Sequence, residues 1–179
     1  MISKILAFGG SNSRSSINKE LATYVANQTK DTVVTVVDLN DYELPIYSPD
    51  LEKESGIPKA VNDFWNVISS SDGIVLSLAE YNGSYTAAFK NLFDWLSRID
   101  MKVWQDKPML IMATSPGGRG GAGVLHSALT AFPHLGGNIV ADFSLPKFQD
   151  NFQKGEIINQ KKQSELEEKL KLFQLSLVK

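Results

Sequence analysis

Five short apolar runs punctuate the chain: Ile2–Phe8, Thr32–Leu39, Gly73–Ala79, Pro108–Ser115 and Asn138–Leu145. They are rich in Val, Ile and Leu without clean polar alternation, the pattern of strands buried on both faces. Between them apolar residues recur at helical spacing. Val61, Phe64, Trp65 and Ile68 fall at i, i+3, i+4 and i+7. Tyr85, Phe89, Leu92, Phe93 and Leu96 form a second such stripe, and Leu166, Leu170, Phe173 and Leu177 a third. Glu165–Lys169 and Glu167–Lys171 would support that last helix as i, i+4 pairs. Alternating strands and helices predict a parallel α/β sheet with right-handed crossovers.

Two stretches break the alternation. Residues 40–58 hold three prolines, and residues 146–156 separate the fifth strand from the last helix. Both read as long irregular loops, which in compact domains are often functional. No internal repeat or linker interrupts the chain, so residues 1–179 read as one domain.

The loops that follow the strands carry the candidate chemistry. Ligands of an open parallel sheet sit outside the carboxyl ends of its strands. There the first strand runs into GGSNSRSSIN, residues 9–18, ahead of a helix starting near Ser16 or Ile17. The unpaired N–H groups of a helix start attract an anion, and Ser11, Ser13, Ser15 and Ser16 add hydroxyl donors, with Asn18 an amide. The stretch lacks the lysine of GxxxxGK[ST] and the third glycine of GxGxxG, and it does not match GxSxG. What is left is a lysine-free, hydroxyl-rich cradle suited to a monophosphate; the plain alternative is a serine-rich helix cap. Asp38, at the end of strand two, has the place of a ribose ligand but reads as a strand-end residue without the glycines. His126 and His134 read as structural.

After strand three, Glu80 and Tyr81 precede the turn dipeptide Asn82-Gly83, with a helix expected from Ser84 or Tyr85. Strand four opens onto a loop with five glycines in seven residues, 117–123. Those glycines let backbone approach a ligand closely. In the sheet order 2-1-3-4-5 the strands bearing these three loops are neighbours, so the loops converge.

GSNSRSSIN (10–18), EYNGSYTAAFKNLFDWLSR (80–98) and SPGGRGG (115–121) resemble, in spacing and order, the NADPH-dependent FMN reductase family. Members of that family are flavodoxin-like quinone, chromate and azo-dye reductases. The chain departs from the family at Ala79 and Thr86, where members often carry proline, and at Ser13, where an arginine is usual and Arg14 is displaced by one. The resemblance implies a flavodoxin-like three-layer sandwich around a five-stranded parallel sheet. It implies FMN held at its phosphate by Ser11, Ser13, Ser16 and Asn18 with N–H groups near Ile17, and Arg14 as a candidate phosphate contact. Glu80, Tyr81, Asn82 and Gly83 would flank the isoalloxazine, and Ser115, Gly117 and Gly118 would close on it. Hydride would pass from NADPH or NADH through FMN to a quinone, azo compound, free flavin or metal oxyanion. No side chain is needed as a catalyst, because the cofactor carries the chemistry. Arg119 is a candidate for the NADPH 2′-phosphate. A homodimer or tetramer is implied, to whose contacts Trp95 and Trp104 are candidates.

Composition narrows the alternatives. Eighteen Lys and Arg against 20 Asp and Glu leave a net charge of −2, short of the basic excess of nucleic-acid binders and milder than the acidity of flavodoxin electron carriers. A receiver-type module would need an acidic cluster after strand one, where Gly-Gly-Ser stands; a phosphate-binding module without flavin is the remaining alternative. With no cysteine, no thiolate site or disulfide exists. No apolar run reaches the roughly 18 residues of a membrane span, and no leader pattern opens the sequence, so a cytoplasmic location is expected.

Overall fold

The computed structural model describes residues 2–177. Five parallel strands form the sheet: β1 (Ser3–Gly10), β2 (Thr32–Val37), β3 (Gly73–Leu78), β6 (Pro108–Thr114) and β7 (Asn138–Leu145). Their order is β2-β1-β3-β6-β7, which is the expected 2-1-3-4-5 once only this sheet's strands are counted. Helices α1 (Ile17–Ala26) and α7 (Gln160–Ser176) cover one face; α3 (Lys59–Ser69), α4 (Ala87–Ile99) and α5 (Ala122–Ala131) cover the other.

Strand geometry sends successive side chains to opposite faces, and the core divides accordingly. Leu6, Phe8, Ile74, Leu76, Met109 and Ile111 pack with α3, α4 and α5. Ile5, Ala7, Val75, Leu110 and Met112 pack with α1 and α7. Each fully buried large side chain contributes roughly 1.5–3 kcal/mol relative to exposure. The three inner strands are buried on both faces as expected, apart from the first residues of β1 and β6. β2 is not: as an edge strand it leaves Val33 and Val36 exposed.

Several expectations are corrected. The helix after β3 begins at Ala87, capped by Thr86. Tyr85 belongs instead to a two-stranded hairpin, β4 (Glu80–Tyr81) with β5 (Ser84–Tyr85). Residues 40–58 hold a short helix, α2 (Pro49–Ser55), with Ser48 as N-cap and Pro49 in its first turn. The 146–156 segment folds into α6 (Phe148–Asn151) and a hairpin of β8 (Phe152–Gln153) with β9 (Glu156–Ile157). Trp95 and Trp104 are fully buried, so neither is a surface for subunit contact. On α7, Glu165 pairs with Lys162 and Lys169 reaches Asp142, in place of the expected i, i+4 pairs. No helix among the described residues is long and apolar enough to cross a membrane.

Candidate functional site

The registers Gly10↔Leu78 and Leu78↔Ala113 level the carboxyl ends of β1, β3 and β6. The three loops that follow enclose a cavity of about 190 Å³. Its first wall is the β1 loop. Gly9 lets α1 start directly against the strand, since a Cβ there would lie 2.5 Å from the Lys19 nitrogen. The loop is then folded by its own hydroxyls. Ser13 N–H donates to Ser11 Oγ at 3.1 Å, and Lys19 N–H donates to Ser16 Oγ at 3.1 Å, making Ser16 the cap of α1. With their oxygens used as acceptors, the protons of Ser11 and Ser16 are the groups left to donate. The N–H groups of Ile17 and Asn18 precede the first helical bond, Glu20 N–H to Ser16 O.

Asn18 ties the strands together from below. Its buried amide accepts from Ser77 Oγ at 2.7 Å and from Thr114 N–H at 3.1 Å, and donates to Thr114 O at 3.2 Å. The side chain thus serves the ends of β3 and β6. Toward the cavity it keeps the backbone N–H and one amide proton. Thr86 adds a second tie: its buried hydroxyl donates to Gly10 O at 2.9 Å while accepting from Phe89 N–H at 3.2 Å.

The second wall is the β4–β5 hairpin. Asn82 and Gly83 both have positive φ, 52° and 79°, the conformation of a type I′ turn. Tyr81 is half exposed, and Glu80 Oε2 accepts from Val124 N–H at 2.8 Å, capping α5 in place of its missing side-chain cap. Tyr85 turns inward onto Phe89 and Phe132. Burial pushes its hydroxyl pKa up to about 12, so the ring stays neutral at ordinary pH.

The third wall is the β6 loop. Phe148 N–H donates to Ser115 O at 3.1 Å and Lys147 N–H to Gly117 O at 3.0 Å. The glycines divide. A Cβ at Gly120 would sit 2.4 Å from Ser144 Oγ, at Gly121 2.8 Å from Ala113 Cβ, and at Gly123 2.8 Å from Glu80 Oε2. Only Gly117 and Gly118 face open space. Three of the five thus make room for protein, and the two named as ligand residues, Gly117 and Gly118, are the ones left uncrowded.

Of the residues singled out in the sequence, Ser11, Ser13, Ser16, Ile17, Asn18, Glu80, Tyr81 and Ser115 line the cavity together. Asn82, Gly83, Gly117 and Gly118 do not line it, and Arg14 lines a neighbouring cleft. Arg119, His126 and His134 are exposed. Ser15 lines it as well, and so do Ala79, Thr114 and Pro116, which were not named as ligand residues; the position of these three at the ends of β3 and β6 was the available signal. The one carboxylate among the lining residues, Glu80, has Oε2 engaged by Val124 N–H of α5. Two hydroxyl protons and helix-start N–H groups fit a phosphate dianion.

This is the flavodoxin-like α/β fold, with its ligand loops converging at the carboxyl edge where the strand order reverses. The model of the NADPH-dependent FMN reductase family matches residues 3–150, and the chain belongs to that family. Its relatives include a quinone reductase of Escherichia coli, 39% identical over 80 residues, a match spanning 45% of this chain and 43% of that one. A 2-hydroxy-1,4-benzoquinone reductase of a Burkholderia species is 37% identical over 124 residues, 68% of this chain and 66% of that one. The chain thus matches less than half of the first relative's length and about two thirds of the second's. Among solved structures, a flavoenzyme NAD(P)H:(acceptor) oxidoreductase from Paracoccus denitrificans superposes with a TM-score of 0.79 at 23% identity, covering 98% of this chain and 97% of that one.

Proposed function

We propose that this single-domain chain is an NAD(P)H-dependent FMN oxidoreductase acting on a small acceptor of the quinone class. The observation that carries the reading is the cradle itself: neutral donors from the β1 loop meet two further loops at one edge of the sheet. Ser11, Ser16 and the N–H groups of Ile17 and Asn18 hold the phosphate, and Ser13 braces the loop that presents them. Main-chain groups of Glu80–Gly83 would hold one side of the isoalloxazine, and Ser115, Gly117 and Gly118 the other. Bound FMN would supply hydride acceptance and delivery, so the protein's work is placement and electrostatics. N–H groups directed at the pyrimidine end of the ring stabilise the negative charge that develops on reduction. A site that leaves the rim open would serve the nicotinamide and the acceptor in turn, which predicts ping-pong kinetics. A quinone acceptor is favoured because the relatives named above are quinone reductases. A homo-oligomer that completes the acceptor pocket and a cytoplasmic location belong to the same proposal.

The test is a visible spectrum of the purified chain loaded with FMN, followed by anaerobic NADH or NADPH. Stoichiometric binding, bleaching by the nucleotide and recolouring by a benzoquinone are expected. A chain that takes up no FMN overturns the proposal.

A further inference from the structure

The β1 loop has a second side. A cleft of about 660 Å³ lies there, lined by Arg14 of that loop, by Asp38 and Asn40 at the end of β2, by Leu44 and Ile46, and by Ala87 on α4, among others. Its volume falls within the roughly 300–1,000 Å³ of small-molecule sites, and it stands outside the carboxyl ends of the strands, where such sheets bind ligands. Its wall is prebuilt. The Asn91 side chain accepts from Tyr47 N–H at 2.8 Å and donates to Pro45 O at 3.0 Å, and Trp95 Nε1–H donates to the same oxygen at 2.8 Å. These bonds hold the 44–47 segment upright on α4 and leave Ile46 84% exposed at the rim. An apolar side chain held out beside a polar floor invites a flat apolar ligand group.

We propose that this cleft receives the adenosine end of the nicotinamide dinucleotide and favours the 2′-hydroxyl form, NADH. The inference rests on the FMN-reductase reading above. Asp38 and Asn40 take the ribose diol, Arg14 the pyrophosphate, and Leu44 and Ile46 pack under the base. Asp38 Oδ1 already accepts from the N–H and the amide of Asn40, at 2.9 and 2.7 Å, and Oδ2 pairs with Lys19. A carboxylate has about four acceptor positions, so one is left for a hydroxyl proton. Partial burial pushes the Asp38 carboxyl up, but the Lys19 and Asn40 hydrogen bonds outweigh it and hold the group below its ordinary 3.8. It is therefore charged at neutral pH. Lys19 and Arg14 balance Asp38 and Glu43 in charge, so the discrimination lies in the hydrogen bond: a 2′-hydroxyl has a proton to donate to the acceptor position left on Asp38, and a 2′-phosphate dianion has none. The nicotinamide end crosses the β1 loop toward the rim of the cradle, whose wall the cleft shares.

ADP-ribose and 2′-phospho-ADP-ribose, which cannot reduce flavin, are titrated by calorimetry into the FMN-loaded chain. Tighter binding of ADP-ribose is expected, by about tenfold, or about 1.4 kcal/mol, for the hydrogen bond that only the 2′-hydroxyl can give to Asp38. Asp38→Asn should erase that preference. Ala87→Phe, at an exposed helix position, should fill the cleft and weaken ADP-ribose at least tenfold with the flavin spectrum unchanged. Equal or stronger binding of the 2′-phospho probe, or ADP-ribose binding indifferent to Ala87→Phe, overturns the inference while leaving the flavin reading in place. A chain that retains no FMN overturns both.

Discussion

The loop after β1 and the loop after β6 face each other across the cradle and are held by opposite means. The first is stiffened by side chains: Ser11, Ser16 and Asn18 bond the backbone around them, and Thr86 fastens its root from outside. The second is stiffened by missing side chains. Gly120, Gly121 and Gly123 let it press onto Ser144, Pro146, Ala113 and Glu80, and backbone bonds to Lys147 and Phe148 complete the fit. A serine-rich loop fixes positions by adding partners; a glycine-rich loop can fix them just as firmly by removing volume. Glycine content alone therefore does not measure mobility.

Three substitutions separate the two devices. The largest effect is expected from Gly120→Ala, where φ is +58° and the new Cβ would lie 2.9 Å from the backbone nitrogen of Pro146. Left-handed strain of about 1–2 kcal/mol and overpacking of about 1–3 kcal/mol add to roughly 2–5 kcal/mol, read as a lowered midpoint in urea unfolding. Asn18→Ala comes next. It leaves Ser77 and both backbone groups of Thr114 without the amide, costing about 2–3 kcal/mol in the same measurement, and FMN affinity should fall with it. Gly118→Ala should move stability by less than about 0.5 kcal/mol, since the nearest atom to its Cβ is 4.0 Å away. A Gly118→Ala change as damaging as Gly120→Ala would erase the distinction drawn between the two halves of the loop.

The sheet was legible because buried parallel strands must be nearly continuous apolar runs, and β1, β3 and β6 obey that demand. β2 has the same composition, yet its edge position, invisible in a local pattern, exposes half of it. The late start of α4 has a local cause. Tyr85 sits four residues before Phe89 and so mimics a helical stripe, but the Asn82-Gly83 turn pulls it back against Glu80. That dipeptide was the hairpin signal. Helix α2 was equally announced, by Ser48 before Pro49 and by Gly56 at its end, within a segment whose prolines suggested irregularity. At the site, residues acting through local backbone chemistry, such as Ser16 as a cap, were readable. The partners that make Asn18 a strand clamp lie 59 and 96 positions away, and the division among the glycines depends on β7 and on Glu80. No short motif holds that information.

The bond that the Glu80 carboxylate accepts from Val124 N–H constrains what residue 123 can be. A Cβ at residue 123 would lie 2.8 Å from Glu80 Oε2, so a larger residue there fits only if the carboxylate swings away from Val124 N–H. A lineage that enlarged residue 123 would thereby loosen the strut that ties the hairpin to the start of α5.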